Sequence, residues 1–488
     1  MAERIAIVGS GPSAYGTLLG LLELKKQGRD LDITIYASGS ADQESQIQAT
    51  YKDRLDASEI NSLLKQQQGE GGLLPARHFN KVPVESHQGY EGLKTDIKLS
   101  DSFGGIGNYW SSSVFPNQQI HDPVVAKLGD LSVYYDLVSG HIPVSGRKGD
   151  PLCRFFSDET INQPAIHIDP GLENLLGDQG SVVMGINRFA LETEDGGDSC
   201  IACGDCMYGC QRDAIFRAGR AIWQLACEGI CEIIYEKVLH FSADRTLRTE
   251  KETASFDKVY VAGGALGTME LVHNSLGAPT HALELYDTML WYFPAFSLGL
   301  RKMGRVQDGI AFAELAGGLY DEQTPDYNHL LISRFPHAIM DKMLGRSGFS
   351  LFVSNVINRF SVIAAVYGSH DEYLTYRLED RGAGLCAISR EKSVETLAHH
   401  KFKAFQSYLS SKGWLSHQKL VMENATSSHY AGNVGLAYGV ESLPETGQLM
   451  DGVYICDSAA WDGPSQSQQH SFTLMANGVR LAVASLTT

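Results

Sequence analysis

The chain has 488 residues, too many for one ordinary domain, and its 43% hydrophobic and 20% charged residues are a globular composition that excludes collagen-like, coiled-coil and disordered classes. Forty Lys and Arg stand against 57 Asp and Glu, a net charge of −17, so a phosphate backbone or an anionic membrane surface would meet repulsion; no nucleic-acid partner is expected. Nine cysteines, an odd number, argue against a disulfide framework.

Met1 to Arg4 lead at once into the apolar run 5–8, which leaves no room for a secretory or transit signal, so a cytoplasmic protein is expected. Residues 4–8 read as a buried strand, 12–26 as a helix with apolar Leu18, Leu19, Leu21 and Leu22, and 33–36 as a second strand. That is a βαβ opening. The polar, glycine-rich run 66–72 reads as a surface loop, and no internal repeat is visible. Residues 231–240 have a strand pattern, and 258–262 form an apolar strand that runs into Gly263-Gly264 and a helix through 272. Between 280 and 425 the character changes to alternating segments, such as 330–334, 360–367 and 384–389, which predict an antiparallel sheet, followed by a helix over 393–411. Within this region, 289–300 contains Pro294 and is far shorter than the roughly 20 apolar residues of a membrane span, so it reads as core or pocket wall, with Trp291, Tyr292 and Phe293 as candidate lining. The end of the chain returns to the first style, with a strand over 453–456 that stops at Asp457 and a helix over 469–486.

Three glycine-rich segments carry the chemistry. Gly9-Ser10-Gly11-Pro12-Ser13-Ala14 follows a strand and opens a helix, the context of a dinucleotide turn. Gly9 allows the tight turn, Gly11 admits a pyrophosphate to the backbone, Pro12 and Ser13 open the helix whose N-terminus faces the phosphates, and small Ala14 lets the helix pack on the strand. One part is missing: the acid that should bind a ribose at the end of the second strand is replaced by Tyr36-Ala37-Ser38, and Asp32 precedes the strand. Phe103-Gly104-Gly105-Ile106-Gly107-Asn108-Tyr109-Trp110 suits a backbone brought close to a flat ligand, and Ala262-Gly263-Gly264 ends a strand in small residues.

Cys200, Cys203, Cys206 and Cys210 have the C-x2-C-x2-C-x3-C spacing of bacterial ferredoxins. The spacing admits a 4Fe-4S cluster, with Cys210, Cys227 or Cys231 as fourth ligand, or a 3Fe-4S cluster. Zinc matches the ligand type but not the usual pairing of two separated knuckles, and a metal-free loop is the third reading.

At the C-terminal end come His429-Tyr430-Ala431-Gly432, the strand ending in Asp457, and His470 at the head of the last helix. The order of glycine turn, G-G-x-x-x-x-W loop, A-G-G-A-L-G strand end, H-x-x-G, and strand ending in Asp resembles the glucose-methanol-choline family of FAD oxidoreductases. The resemblance implies an α/β fold, a Rossmann-like FAD/NAD(P)-binding domain with an inserted α+β substrate domain built on an antiparallel sheet. Residues 1–120, 181–280 and 426–488 are expected to form the first, and 121–180 and 281–425 the second. It further implies His429 as catalytic base with His470, 41 positions on, completing the pair, Asp457 beside the flavin, and Asn108 touching it. Tyr109 stands where some members attach FAD through a histidine, so non-covalent flavin is expected; Asn433 replaces the usual threonine, and Gln469-His470 the usual Asn-Pro. Flavin glucose dehydrogenase catalytic subunits in the family carry an iron-sulfur loop at this place in the chain, whereas some alcohol oxidases carry a similar loop without a known cluster.

Imidazole suits the work of accepting an alcohol proton near neutral pH. The expected activity is oxidation of a CH-OH group of a sugar, polyol or other alcohol, with electrons passing to an acceptor protein or quinone if a cluster is present. A redox-neutral flavin lyase or isomerase and a non-catalytic electron-transfer protein are the alternatives. A disulfide reductase is disfavoured, because no C-x4-C pair follows the first βαβ unit.

Overall fold

The computed structural model describes residues 2–39, 97, 99–117, 122–194, 199–204, 206, 210, 212–299, 313–320, 327–335, 357–382, 384–394, 397–417, 422–426, 429–465 and 470–487. The 66–72 loop, Tyr109's side chain and Gln469 lie outside the described set.

The first strand, β1 (Glu3–Val8), helix α1 (Pro12–Lys26) and second strand β2 (Leu31–Tyr36) form the expected βαβ unit. Pro12 at the first helical turn presets φ and loses no needed N–H, while Lys25 and Lys26 complement the C-terminal end of the helix dipole. β1 is the centre of a six-stranded sheet in the order Gln448–Met450, Val453–Ile455, Lys258–Val261, β1, β2, Glu232–Ile234. All neighbours are parallel except the first pair. Residues alternate between the faces: Ile5 and Ile7 pack with α1 and the C-terminal helix Ser471–Thr487, whereas Ala6 and Val8 pack toward helix Ala265–Leu276. Burial on both faces explains why these strands read as continuous apolar runs.

The register aligns Val8 with Tyr36 and Val261, Val261 with Ile455, and Tyr36 with Ile234. The segments after all five strands therefore emerge at the same carboxyl edge, where ligands of open parallel sheets bind.

The second sheet is antiparallel, in the order Leu385–Lys392, Tyr373–Asp380, Leu283–Ser297, Ser361–Tyr367, Tyr327–Arg334, Leu315–Tyr320, Val182–Ile186, Gly177–Gln179. The 15-residue strand Leu283–Ser297 joins two halves: residues 283–288 pair with Tyr373–Asp380 and residues 290–296 with Ser361–Tyr367. Trp291 and Phe293 of the 289–300 stretch are core, and Phe293 packs on Phe402 of helix His399–Ser411 at 5.0 Å between ring centroids. Tyr292 packs at the edge of a smaller cluster with Phe115 and Tyr327. The helix expected from 393 starts at His399, because the strand before it stays paired through Lys392, opposite Leu374.

Two elements sit apart from where the sequence groups their segments. Val182–Ile186 pairs with Leu315–Tyr320 in the antiparallel sheet. Helix Ser132–Ser139 instead stacks Tyr135 on Phe472 of the C-terminal helix at 4.8 Å, against the parallel sheet. Among the described residues, no helix is long and apolar enough to cross a membrane.

Candidate functional site

A cavity of about 430 Å³ opens at the carboxyl edge of the parallel sheet. Its floor is the turn Gly9 to Ser13, which α1 continues. Gly9 has φ +125°, and a Cβ there would lie 2.1 Å from the carbonyl oxygen of Ala262, so only glycine fits between the two strand ends. Gly11 caps α1, whose unpaired N–H groups and dipole make this wall favourable to an anion. Ala14 is buried beneath the turn, where its small side chain lets α1 sit on the sheet.

Gly104 and Gly105 line the next wall. The Gly104 N–H donates to Ser10 Oγ at 2.8 Å, which ties this loop to the first turn. Asn108 does not line the cavity: it is buried under the loop, and its Nδ2 donates to the Phe103 carbonyl at 2.6 Å. A Cβ on Gly104 would lie 2.3 Å from Asn108 Oδ1, so Asn108 shapes the loop from behind.

Ala262, Gly263, Gly264 and Asp457 form the third wall. Asp457 accepts from Thr268 Oγ1 at 2.5 Å, Gly264 N–H at 2.8 Å and Ala459 N–H at 3.0 Å, joining two adjacent strand ends. Burial pushes its carboxyl up to about 6, and those three donors oppose the rise.

His429 and His470 both face the cavity, with ring centroids 5.4 Å apart and planes at 36°. Tyr367 lies 5.9 Å from His429 and Trp461 4.9 Å from His470, so the pair sits in an aromatic clamp. The backbone N–H of His429 donates to Asp287 Oδ1 at 3.3 Å, and the His470 carbonyl accepts the first bond of the C-terminal helix from Leu474 at 2.8 Å. His429 is partly accessible within the cavity but surrounded by protein. Burial holds its imidazole well below the usual histidine range, and the nearby His470 and His329 act in the same direction. A neutral imidazole can accept a proton, which is what the arrangement offers.

The structure thus brings together three glycine segments and two histidines from across the chain. Sequence reasoning missed Thr268, Asp287, Tyr367 and Trp461; as buried or partly buried hydroxyls, carboxylates and rings they have no spacing that sets them apart from core residues.

The cysteine loop behaves differently. Among the described residues, no group of three or more His, Cys, Asp or Glu side chains is placed to hold a metal ion. Cys200, Cys203, Cys206 and Cys210 are not joined in disulfides. Burial raises the Cys200 thiol, and Cys210 adds to the effect. Cys227 is exposed and Cys231 is buried in the core beside α1, so neither completes a set. Among the described residues, nothing supports an iron-sulfur cluster or a zinc ion.

No protein-family profile matches the chain, and no curated protein matches it. Solved structures do. Pyridoxine 4-oxidase from Mesorbium loti superposes with a TM-score of 0.54 at 12% identity, covering 99% of each chain. An R554K variant of formate oxidase from Aspergillus oryzae gives 0.56 at 12% identity, covering 99% of this chain and 98% of that one. A fungal aryl-alcohol oxidase gives 0.50 at 9% identity over 100% of both chains. The chain shares its fold with these oxidases along nearly its whole length. At these identities the likeness is one of fold.

Proposed function

We propose that this chain is an FAD-dependent oxidoreductase that oxidises the CH-OH group of a small alcohol. The observation that carries the reading is the histidine pair facing the same cavity as the glycine turn, which puts a proton acceptor and an anion-binding helix end on one ligand site. Residues 9–13 at the start of α1 would hold the cofactor's pyrophosphate, with Gly104, Gly105, Gly263 and Gly264 admitting it closely. When bound, flavin supplies a hydride acceptor.

His429, neutral because of its burial, accepts the hydroxyl proton of the alcohol. His470 hydrogen-bonds the developing alkoxide, and its place at the head of the C-terminal helix adds the helix's positive end to that stabilisation. Tyr367 and Trp461 fix the two rings from either side. No step is routed through the cysteine loop.

The test is a visible spectrum of the purified chain followed by anaerobic addition of a panel of polyols and primary alcohols. Bound flavin that an alcohol bleaches supports the reading. A chain without flavin, or a flavin that no alcohol reduces, overturns it.

A further inference from the structure

We infer that Glu236 supplies the carboxylate that binds the ribose hydroxyls of the cofactor's adenosine, the role left vacant at the end of β2. The inference rests on the flavin reading above. In open parallel sheets an acid at the carboxyl end of the second strand holds the ribose. Here that position is Tyr36-Ala37-Ser38. Asp32 cannot serve, because it pairs with Arg4 at the opposite end of the sheet; four residues at about 3.3 Å each put it about 13 Å from Tyr36.

The neighbouring strand brings an acid to the vacant place. Glu232–Ile234 runs parallel to β2 with Ile234 opposite Tyr36, and the Ala37 N–H donates to the Ile234 carbonyl at 3.0 Å. The chain then turns sharply, with the Glu236 N–H returning to the Ile234 carbonyl at 2.9 Å. Glu236 arrives at the same carboxyl edge as Ser38, and both line the cavity.

Its carboxylate is also held in advance. Thr249 Oγ1 donates to Oε2 at 2.5 Å, and Lys251 Nζ lies 3.1 Å from Oε1. Thr249 is itself buried and accepts from the backbone N–H of Lys251 and Glu252 at 3.2 and 3.0 Å, so the clamp is a closed turn. These contacts favour the ionised form of Glu236. A carboxylate has about four acceptor sites, so two partners leave room for two ribose hydroxyls. The other acids of the cavity face different groups. Asp101 and Glu270 face Lys237 at 3.7 and 3.9 Å, and Asp457 is taken up by three donors at another strand end.

The experiment is competition against FAD in the full-length chain stripped of flavin, read by flavin fluorescence, with ADP and 2′,3′-dideoxy-ADP as probes. The wild-type chain is expected to prefer ADP about tenfold, the scale of hydrogen bonds to a charged acceptor. Glu236→Gln and Glu236→Ala, checked for cooperative unfolding, are expected to bind the two nucleotides alike and to bind FAD correspondingly more weakly. A preference that survives in both variants overturns the inference, as does one that disappears in Asp101→Asn or Glu270→Gln instead. A wild-type chain that binds FAD but does not distinguish the nucleotides overturns this inference alone. A wild-type chain with no affinity for FAD overturns the flavin reading itself.

Discussion

Replacing Asp457 with Asn tests the electrostatics of the cavity wall without changing its shape. Burial raises the carboxyl from 3.8 to about 6, so between those values the folded chain holds a proton that the unfolded chain has lost. The contribution to stability is therefore fully present below pH 3.8 and is lost as pH rises through about 6. Two pKa units correspond to about 3 kcal/mol over the whole window, of which about 2 kcal/mol falls between pH 4.5 and 7. Asparagine does not titrate and keeps the volume. Urea unfolding of flavin-free wild-type and Asp457→Asn chains at several pH values reads the difference, and shared contributions from other groups cancel. Wild type should lose about 2 kcal/mol relative to the variant from pH 4.5 to 7. A stability difference that stays flat across that range, or moves the other way, would show that the three donors outweigh burial and would refute the reasoning.

Three further outcomes are expected. His429→Ala should keep the flavin spectrum and slow anaerobic flavin reduction roughly a hundred- to ten-thousand-fold, the range of a lost general base; stopped-flow absorbance reads it. In the wild-type chain the same reduction rate should stay level as pH falls through 6.5, because His429 protonates only well below that value, and a loss centred at 6.5 would contradict the burial argument. Gly16→Ala puts a Cβ 2.0 Å from the Met475 carbonyl oxygen and should lower stability by more than the usual 1 to 3 kcal/mol of overpacking, roughly speaking, with weaker flavin retention, measured by urea unfolding and spectrum.

Much of the parallel-sheet unit was legible because buried parallel strands announce themselves. Residues 4–8 and 258–262 are apolar without alternation, and each runs into glycines; a Cβ at Gly9 would clash with the Ala262 carbonyl, and Gly264 has a φ of +78°. His429 and His470 were legible only as members of an ordered series of motifs, since neither has a local signature. The 231–240 run shows the limit. Its composition, CEIIYEKVLH, suits one long strand, yet the pairing with β2 stops at Ile234, and His240–Phe241 belongs to a separate three-stranded antiparallel sheet. The hydrogen bond from Glu236 back to Ile234 breaks it, and a bond between residues two apart leaves no periodic trace. That break exposes Glu236 to the cavity. The cysteine spacing was equally legible, but spacing sets how far thiols can reach and not whether the backbone turns them toward one point, and among the described residues no such group is found.

The two ends of the chain matter to the site for a geometric reason. Gly16 approaches Met475, Gly20 approaches Val479 and Ala482, and Gly478 approaches Ser13, so α1 and the C-terminal helix run parallel and nearly in backbone contact. Parallel helices that start level with each other present both N-termini to the same side. α1 begins at the turn that faces the expected pyrophosphate, and the C-terminal helix begins just after His470. Two positive helix ends therefore meet one cavity, one at the Gly9–Ser13 turn and one beside the histidine pair. Side chains at Gly16 or Gly478 would part the helices and move His470 relative to the phosphate end. The glycines that set this contact thus govern the distance between the two halves of the site, although none of them lines the cavity.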